Sequence, residues 1–215
     1  MKDVSMKQIN HLIERYPQLN EIKEDIVLSV EKIIEAYKNG NKIMVCGNGG
    51  SAADSLHIVG ELMKAFVLPR KLPMDLKLKL EKTSSNAKYL QDNLQMALPA
   101  ISLVNEVGLL TAYANDVAPD LNFAQQVLGQ GKEGDILLAI STSGNSENVI
   151  YAVEVAKALN ITSISLTGKT GGKLKGMSDI LIAAPETETY KIQELHLPIY
   201  HAICLAVEAE FYTEE

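Results

Sequence analysis

The sequence has no tryptophan, only three phenylalanines and only two cysteines among its 215 residues. Cys46 and Cys204 are too few for a disulfide framework and suit a reducing cytoplasm, so a cytoplasmic protein is expected. No run of about 18 apolar residues occurs, so no segment is expected to span a membrane. The N-terminal stretch MKDVSMKQINHLIERY is charged throughout and lacks an apolar signal core. Positive charge is also scarce: the net charge is −7 and no basic block stands out. That argues against nucleic acid or an anionic membrane surface as the main partner. A phosphate would have to be held locally, by backbone N–H groups or a few side chains.

What is present is a chain of one-domain length with 47% hydrophobic residues, enough for a substantial core. Residues 1–40 read as helix, with stripes at Ile9, Leu12, Ile13 and Tyr16 and at Ile26, Val27, Val30, Ile33, Ile34 and Tyr37. KIMVCG at 42–47 reads as a buried strand, followed by a glycine-rich turn and a helix over about 52–66. A strand-like run, LLTAYA, lies at 109–114, with a helix near 120–130. DILLAIS at 135–141, TSISLTG at 162–168 and ILIAAP at 180–185 read as strands, with helices near 146–159 and 190–212. Continuously apolar strands alternating with helices predict an α/β fold: a parallel sheet covered on both faces, with ligands at the carboxyl ends of its strands. Residues 67–100 are too long for a strand-to-helix connection and read as an insertion with some helix, a lid or an oligomer contact.

Two turns at strand ends stand out. Asn48-Gly49-Gly50-Ser51 lies between a strand and a helix. Glycine admits close backbone approach, and a helix N-terminus offers unpaired N–H groups to an anion; taken alone, the turn is better read as a plain strand-to-helix turn with Ser51 as N-cap. Ser141-Thr142-Ser143-Gly144-Asn145-Ser146 has four hydroxyls and one amide around a glycine. One serine or asparagine would suffice to cap a helix, so the surplus points to a phosphate. A third turn, TGKTGGK at 167–173, lacks the spacing of a nucleotide phosphate loop and reads as structural.

His57 and Glu61 are i and i+4 on the helix after the first turn, so they face the same way, as a surface pair or as two metal donors. Gln193 and His201, eight residues apart on the last helix, share one slowly turning ridge through Leu197. Pro198 between them is expected to kink or loosen that helix. Two imidazoles, a carboxylate and an amide form a plausible zinc set, although an amide is a weak ligand. His196 reads as structural or interfacial, Cys46 as core and His11 as solvated.

CGNGGS, STSGNS and LTGKTGGKL in this order resemble the SIS (sugar isomerase) domain family, most closely its phosphoheptose isomerase branch, over most of the chain. The resemblance implies a three-layer αβα sandwich: a five-stranded parallel sheet in a single SIS domain over 1–215, with an N-terminal helical segment at 1–40 and the 67–100 insertion. It implies a homotetramer or other homo-oligomer with sites between subunits. Carried over by position, Asn48, Gly49, Gly50, Asn115, Asp116, Ser141, Thr142, Ser143, Ser146 and Gln193 would contact a sugar phosphate, with Ser51 of the same turn beside them. His57, Glu61, Gln193 and His201 would hold Zn2+, and Glu61 and His201 would act as the acid–base pair. The implied activity is aldose–ketose isomerisation through an enediol. A phosphosugar-binding regulator or scaffold, or an isomerase of a different sugar phosphate, stay open beside it. Three departures from the family pattern are Ala52-Ala53 in place of His-Cys, Tyr190 in place of Asp, and the length of 67–100.

Overall fold

The computed structural model describes residues 1–213. Asp3–Arg15 (α1) and Lys23–Lys38 (α2) are joined by a 3-10 turn at Pro17–Ile22, where the proline sits at the first helical position. The sheet then begins with β1 (Ile43–Gly47). It is completed by β2 (Ala100–Ser102), β3 (Ile136–Ile140), β4 (Thr162–Gly168) and β5 (Ile180–Ala184). All pairings are parallel, in the order β2-β1-β3-β4-β5. β1 and β3 are buried at every position, as strands covered on both faces must be.

One face carries α1, α2, α3 (Gly50–Met63) and α9 (Thr189–Phe211), whose Ile9, Ile26, Ile33, Ile58, Ile199 and Val207 pack over β1, β3, β4 and β5. The other carries α7 (Asn122–Gln130) and α8 (Glu147–Ala158), with Phe123, Val127, Val149 and Val153 over Met44, Leu137 and Ala139. This three-layer α/β sandwich with N-terminal helices is the expected one. The strand order reverses between β1 and β3, so the turns after these two strands flank the crevice in which ligands of such sheets bind. They are the glycine-rich and serine-rich turns.

Several expected details differ. LLTAYA at 109–114 is not a strand but part of the helix α6 (Val107–Asp116). Leu110, Tyr113 and Ala114, at i, i+3 and i+4, are its half-buried positions, and the rest of the run faces out. The edge strand beside β1 is the three-residue β2 just after Pro99, and Ala100 belongs to it rather than to an insertion. The preceding excursion is a hairpin of two helices, α4 (Met74–Thr83) and α5 (Ala87–Asn93), neither with a buried residue. Its base is tied down where Met96 N–H donates to the Arg70 carbonyl and Leu98 N–H to the Leu62 carbonyl. α9 continues through Pro198, whose buried ring sits in a helix packed against α1, α2 and α3. Among the described residues no helix is long and apolar enough to cross a membrane.

Candidate functional site

α3 starts at Gly50 with Gly49 as its N-cap, at φ 56, a left-handed conformation that favours glycine. Ser51 therefore lies in the first turn, buried, rather than at the cap. Gly50 is constrained by space: a Cβ there would come within 2.5 Å of the Gln193 side-chain nitrogen. The absent side chain lets the α9 amide lie against the start of α3. Asn48, at the end of β1, exchanges two amide hydrogen bonds of 2.9 Å with Asn148 in the first turn of α8. The pair bridges the two turns across the switch point.

The serine-rich turn is cross-braced by hydrogen bonds. Ser141 and Ser146 hydroxyls lie 3.0 Å apart, and the Ser143 hydroxyl accepts from Asn145 N–H at 3.2 Å. Ser146 is the N-cap of α8, without a side-chain cap bond, so neither Ser143 nor Asn145 caps it. The third turn braces this loop. Gly168 N–H donates to the Thr142 carbonyl at 2.9 Å, Leu174 N–H to the Gly144 carbonyl at 3.2 Å, and Lys173 N–H to the Asn145 side chain at 3.0 Å. The structural reading of TGKTGGK stands. A cavity of about 230 Å³ beside the loop is lined by Thr142, Ser143, Asn145, Lys169 and Thr170. Gly144, at φ 66, is so close to the third turn that a Cβ would overlap the Gly171 carbonyl oxygen. Gly144→Ala is expected to cost roughly 2–5 kcal/mol, from left-handed strain plus overpacking. A denaturant midpoint unchanged from wild type would contradict that packing.

At the middle of α3, His57 Nε2 lies 3.2 Å from Glu61 Oε1. The other Glu61 oxygen accepts from Lys64 at 2.6 Å. The His57 ring stands edge-on to His201 of α9, centroids 5.0 Å apart, and Phe66 covers His201 from another side at 5.5 Å. His201 Nε2 is buried and has no hydrogen-bond partner. Burial, then the neighbouring His57, lowers its pKa from the ordinary histidine value, which favours the neutral ring. A second cavity, of about 140 Å³, opens beside His201 and is lined by Gln8, His11, Arg15, Leu197 and Pro198. His11 is solvated, beside Glu14 at 3.5 Å, and Cys46 is fully buried, both as expected.

The structure thus brings His57, Glu61 and His201 together. Gln193 lies two turns away along α9, about 12 Å at 1.5 Å per residue, with its amide at Gly50. Among the described residues no three His, Cys, Asp or Glu side chains converge as a ready metal cluster. Asn115 and Asp116 do not follow a strand. They end the exposed helix α6, where Asn115 donates to Asp116 at 2.8 Å. His196 is structural: fully buried, it donates from Nε2 to the Thr167 carbonyl at 3.1 Å, and burial pushes its pKa down to about 4.

Sequence reasoning misses four residues that hold this region. Asp54 precedes His57 by one turn of α3, and Tyr200 precedes His201; the Tyr200 hydroxyl lies 2.9 Å from His57 Nδ1 and donates to Asp54 at 3.3 Å. The spacing of Asp54, His57 and Glu61 was the available signal. Arg70 and Glu208, both fully buried side chains, form an ion pair at 2.8 Å with no local signal at all.

A parallel sheet of this order, with a hydroxyl-lined turn at its switch point, is the architecture of an SIS domain. SIS domain models match residues 100–209 and 6–94, and the chain belongs to the SIS domain family. Relatives there include phosphoheptose isomerases. That of Clostridium acetobutylicum is 39% identical over 218 residues, covering 100% of this chain and 98% of its own. The phosphoheptose isomerase structure from Francisella tularensis superposes with a TM-score of 0.74 at 32% identity, covering 97% of this chain and 100% of that one. The one from Neisseria gonorrhoeae gives 0.72 at 33% identity, covering 93% and 96%.

Proposed function

We propose that this chain, read as a single SIS domain over 1–215 whose last two residues lie outside the described ones, is an aldose–ketose isomerase of a phosphorylated sugar. Sedoheptulose 7-phosphate is the proposed substrate. The observation that carries this is the meeting of His57, Glu61 and His201 at the α3–α9 contact, on the helix that starts from the glycine-rich turn. A binder of phosphosugars needs the serine-rich loop; it does not need an imidazole–carboxylate trio.

Glu61 is the base. Its carboxylate takes a proton from C1 of the ketose, and the C1–H electrons form the C1–C2 double bond of an enediol while O2 gains a proton. Returning the proton to C2 as O1 loses its own gives the aldose. His201, neutral because burial lowers its pKa, moves the proton between the oxygens. The Ser141, Thr142, Ser143 and Ser146 hydroxyls and the adjacent N–H groups hold the phosphate, and Asn48, Gly49, Gly50, Ser51, Gln193, Asn115 and Asp116 the sugar. This fixes C1 and C2 without taking part in bond changes.

His57, Glu61 and His201 fit zinc chemically: two imidazoles and a carboxylate, with one imidazole nitrogen buried and unpartnered. Gln193 is the proposed fourth donor, and its amide has to leave Gly50 to share an ion with them. Zinc, when bound, would polarise the substrate oxygens. A homo-oligomer, as dimer or tetramer, and a cytoplasmic setting are part of the proposal; the two cysteines are free and buried, as a reducing interior allows.

The test is turnover of sedoheptulose 7-phosphate against a panel of ketose and aldose phosphates. Activity on the heptulose above the others is expected. Tight binding of phosphosugars without turnover of any would leave a regulator. Ser143→Ala is expected to raise KM about 10- to 100-fold, since a hydrogen bond to a charged group is worth about 1.5–3 kcal/mol. An unchanged KM would remove Ser143 from the phosphate site.

A further inference from the structure

We propose that the Asp54–Tyr200 pair holds a proton on His57 Nδ1, leaving Nε2 as the nitrogen that faces Glu61 and accepts a cation. The two would be positioning residues, acting through His57. Where the cation is zinc, the inference rests on the metal reading above.

Asp54, His57 and Glu61 sit at i, i+3 and i+7 of α3, on one face. Tyr200 is fully buried on α9, so its hydroxyl has few alternatives. Two groups lie in reach: His57 Nδ1 at 2.9 Å and Asp54 Oδ1 at 3.3 Å. The hydroxyl has a single proton to give. An ionised carboxylate only accepts, so the Tyr200 proton goes to Asp54. The phenol oxygen then presents lone pairs to His57 Nδ1, which must carry the N–H. With that proton fixed, neutral His57 has its free lone pair on Nε2.

Nε2 in turn lies 3.2 Å from Glu61 Oε1. A lone pair facing a carboxylate oxygen is unfavourable unless something electropositive lies between them, a proton or a metal ion. The dyad therefore prepares a two-donor seat. The opposite pattern has Tyr200 donating to Nδ1 and Nε2–H donating to Glu61, which closes the seat with a hydrogen bond. It also leaves the Asp54 carboxylate against phenol lone pairs. The ring packs edge-on against Tyr200 at 5.5 Å and His201 at 5.0 Å, with its remaining surface exposed. A hydrogen bond from the second ring nitrogen of a ligand histidine is the usual way a protein sets which nitrogen binds. Here it comes from a tyrosine, itself held by a carboxylate.

Asp54→Asn is the direct test, because the amide can donate to the phenol oxygen and release the Tyr200 proton to His57. In full-length metal-free protein, imidazole 15N shifts are expected to show Nδ1 protonated in wild type and as an acceptor nitrogen in Asp54→Asn. Zinc affinity, measured with a competing chelator, is expected to fall about 10- to 100-fold in the variant. Tyr200→Phe, which removes the hydroxyl outright, is expected to weaken zinc similarly and serves if Asp54→Asn fails to fold. Nδ1 unprotonated in wild type, Nδ1 still protonated in Asp54→Asn, or zinc affinity unchanged in both variants would overturn the proposal. Wild-type protein that binds no zinc would overturn the metal reading instead, while the 15N shifts would still decide which nitrogen carries the proton.

Discussion

Arg70→Met is expected to destabilise the fold by about 3–5 kcal/mol, the cost of leaving one member of a buried ion pair without the other. Folded domains are stable by only about 5–15 kcal/mol in all, so the variant should lie near its unfolding midpoint in modest urea. Arg70 donates to Glu208 at 2.9 Å from Nε and also to the carbonyls of Leu62, at 2.5 Å, and Glu61, at 3.1 Å. Glu208 in turn accepts the N–H groups of Phe66 at 2.7 Å, Val67 at 2.9 Å and Leu68 at 3.1 Å. The Tyr212 ring covers the guanidinium at 4.9 Å. This knot ties the end of α3, the chain behind it and α9 together, and so fixes Glu61 and Phe66 relative to His201. Replacing both partners by methionine is expected to recover little of the loss, because the three backbone N–H groups that Glu208 still accepts in Arg70→Met would then lose their acceptor. Urea denaturation measures all three proteins; a midpoint for Arg70→Met equal to that of wild type would contradict the network.

The same pair gives a pH dependence with a definite sign. Burial alone would raise the Glu208 pKa, but hydrogen bonds from Val67, Phe66, Leu68 and Arg70 outweigh it and the net shift is downward from 4.5. Its contribution to stability is therefore complete above the unfolded value and is lost as the pH falls through the lower folded one.

Glu61→Gln is expected to lower turnover about 10²- to 10⁴-fold, the range for loss of a general base. The amide keeps the size of the carboxylate but cannot take the C1 proton. The serine-rich loop is untouched, so KM should move much less than kcat. Steady-state kinetics decide this; a turnover within tenfold of wild type would remove Glu61 from the base position.

Much of this was legible because it is local. Apolar strands followed by polar turns mark β1, β3, β4 and β5, and the hydroxyl surplus at 141–146 marks the loop at the switch point. α6 was not legible as helix: LLTAYA is six apolar or small residues, a length that periodicity does not resolve, and β2, at three residues, is too short for a pattern to mark. The i, i+4 spacing of His57 and Glu61 was visible, and their meeting with His201 followed from the packing of α3 on α9. What was not visible is long-range pairing. Asp54 meets Tyr200 across 146 positions and Arg70 meets Glu208 across 138, distances over which no sequence pattern speaks. Gln193 adds a second case: its helical spacing from His201 was visible, but the fit of its side chain against the bare Gly50 was not.

The most direct test is isomerisation of sedoheptulose 7-phosphate in D2O, followed by NMR of the aldose product. Proton transfer through an enediol by Glu61 predicts product with deuterium at C2, increasing as turnover continues, and at least about 10²-fold less of it from Glu61→Gln over the same period. No aldose product, or product that keeps the substrate hydrogen at C2 through prolonged turnover, would contradict it.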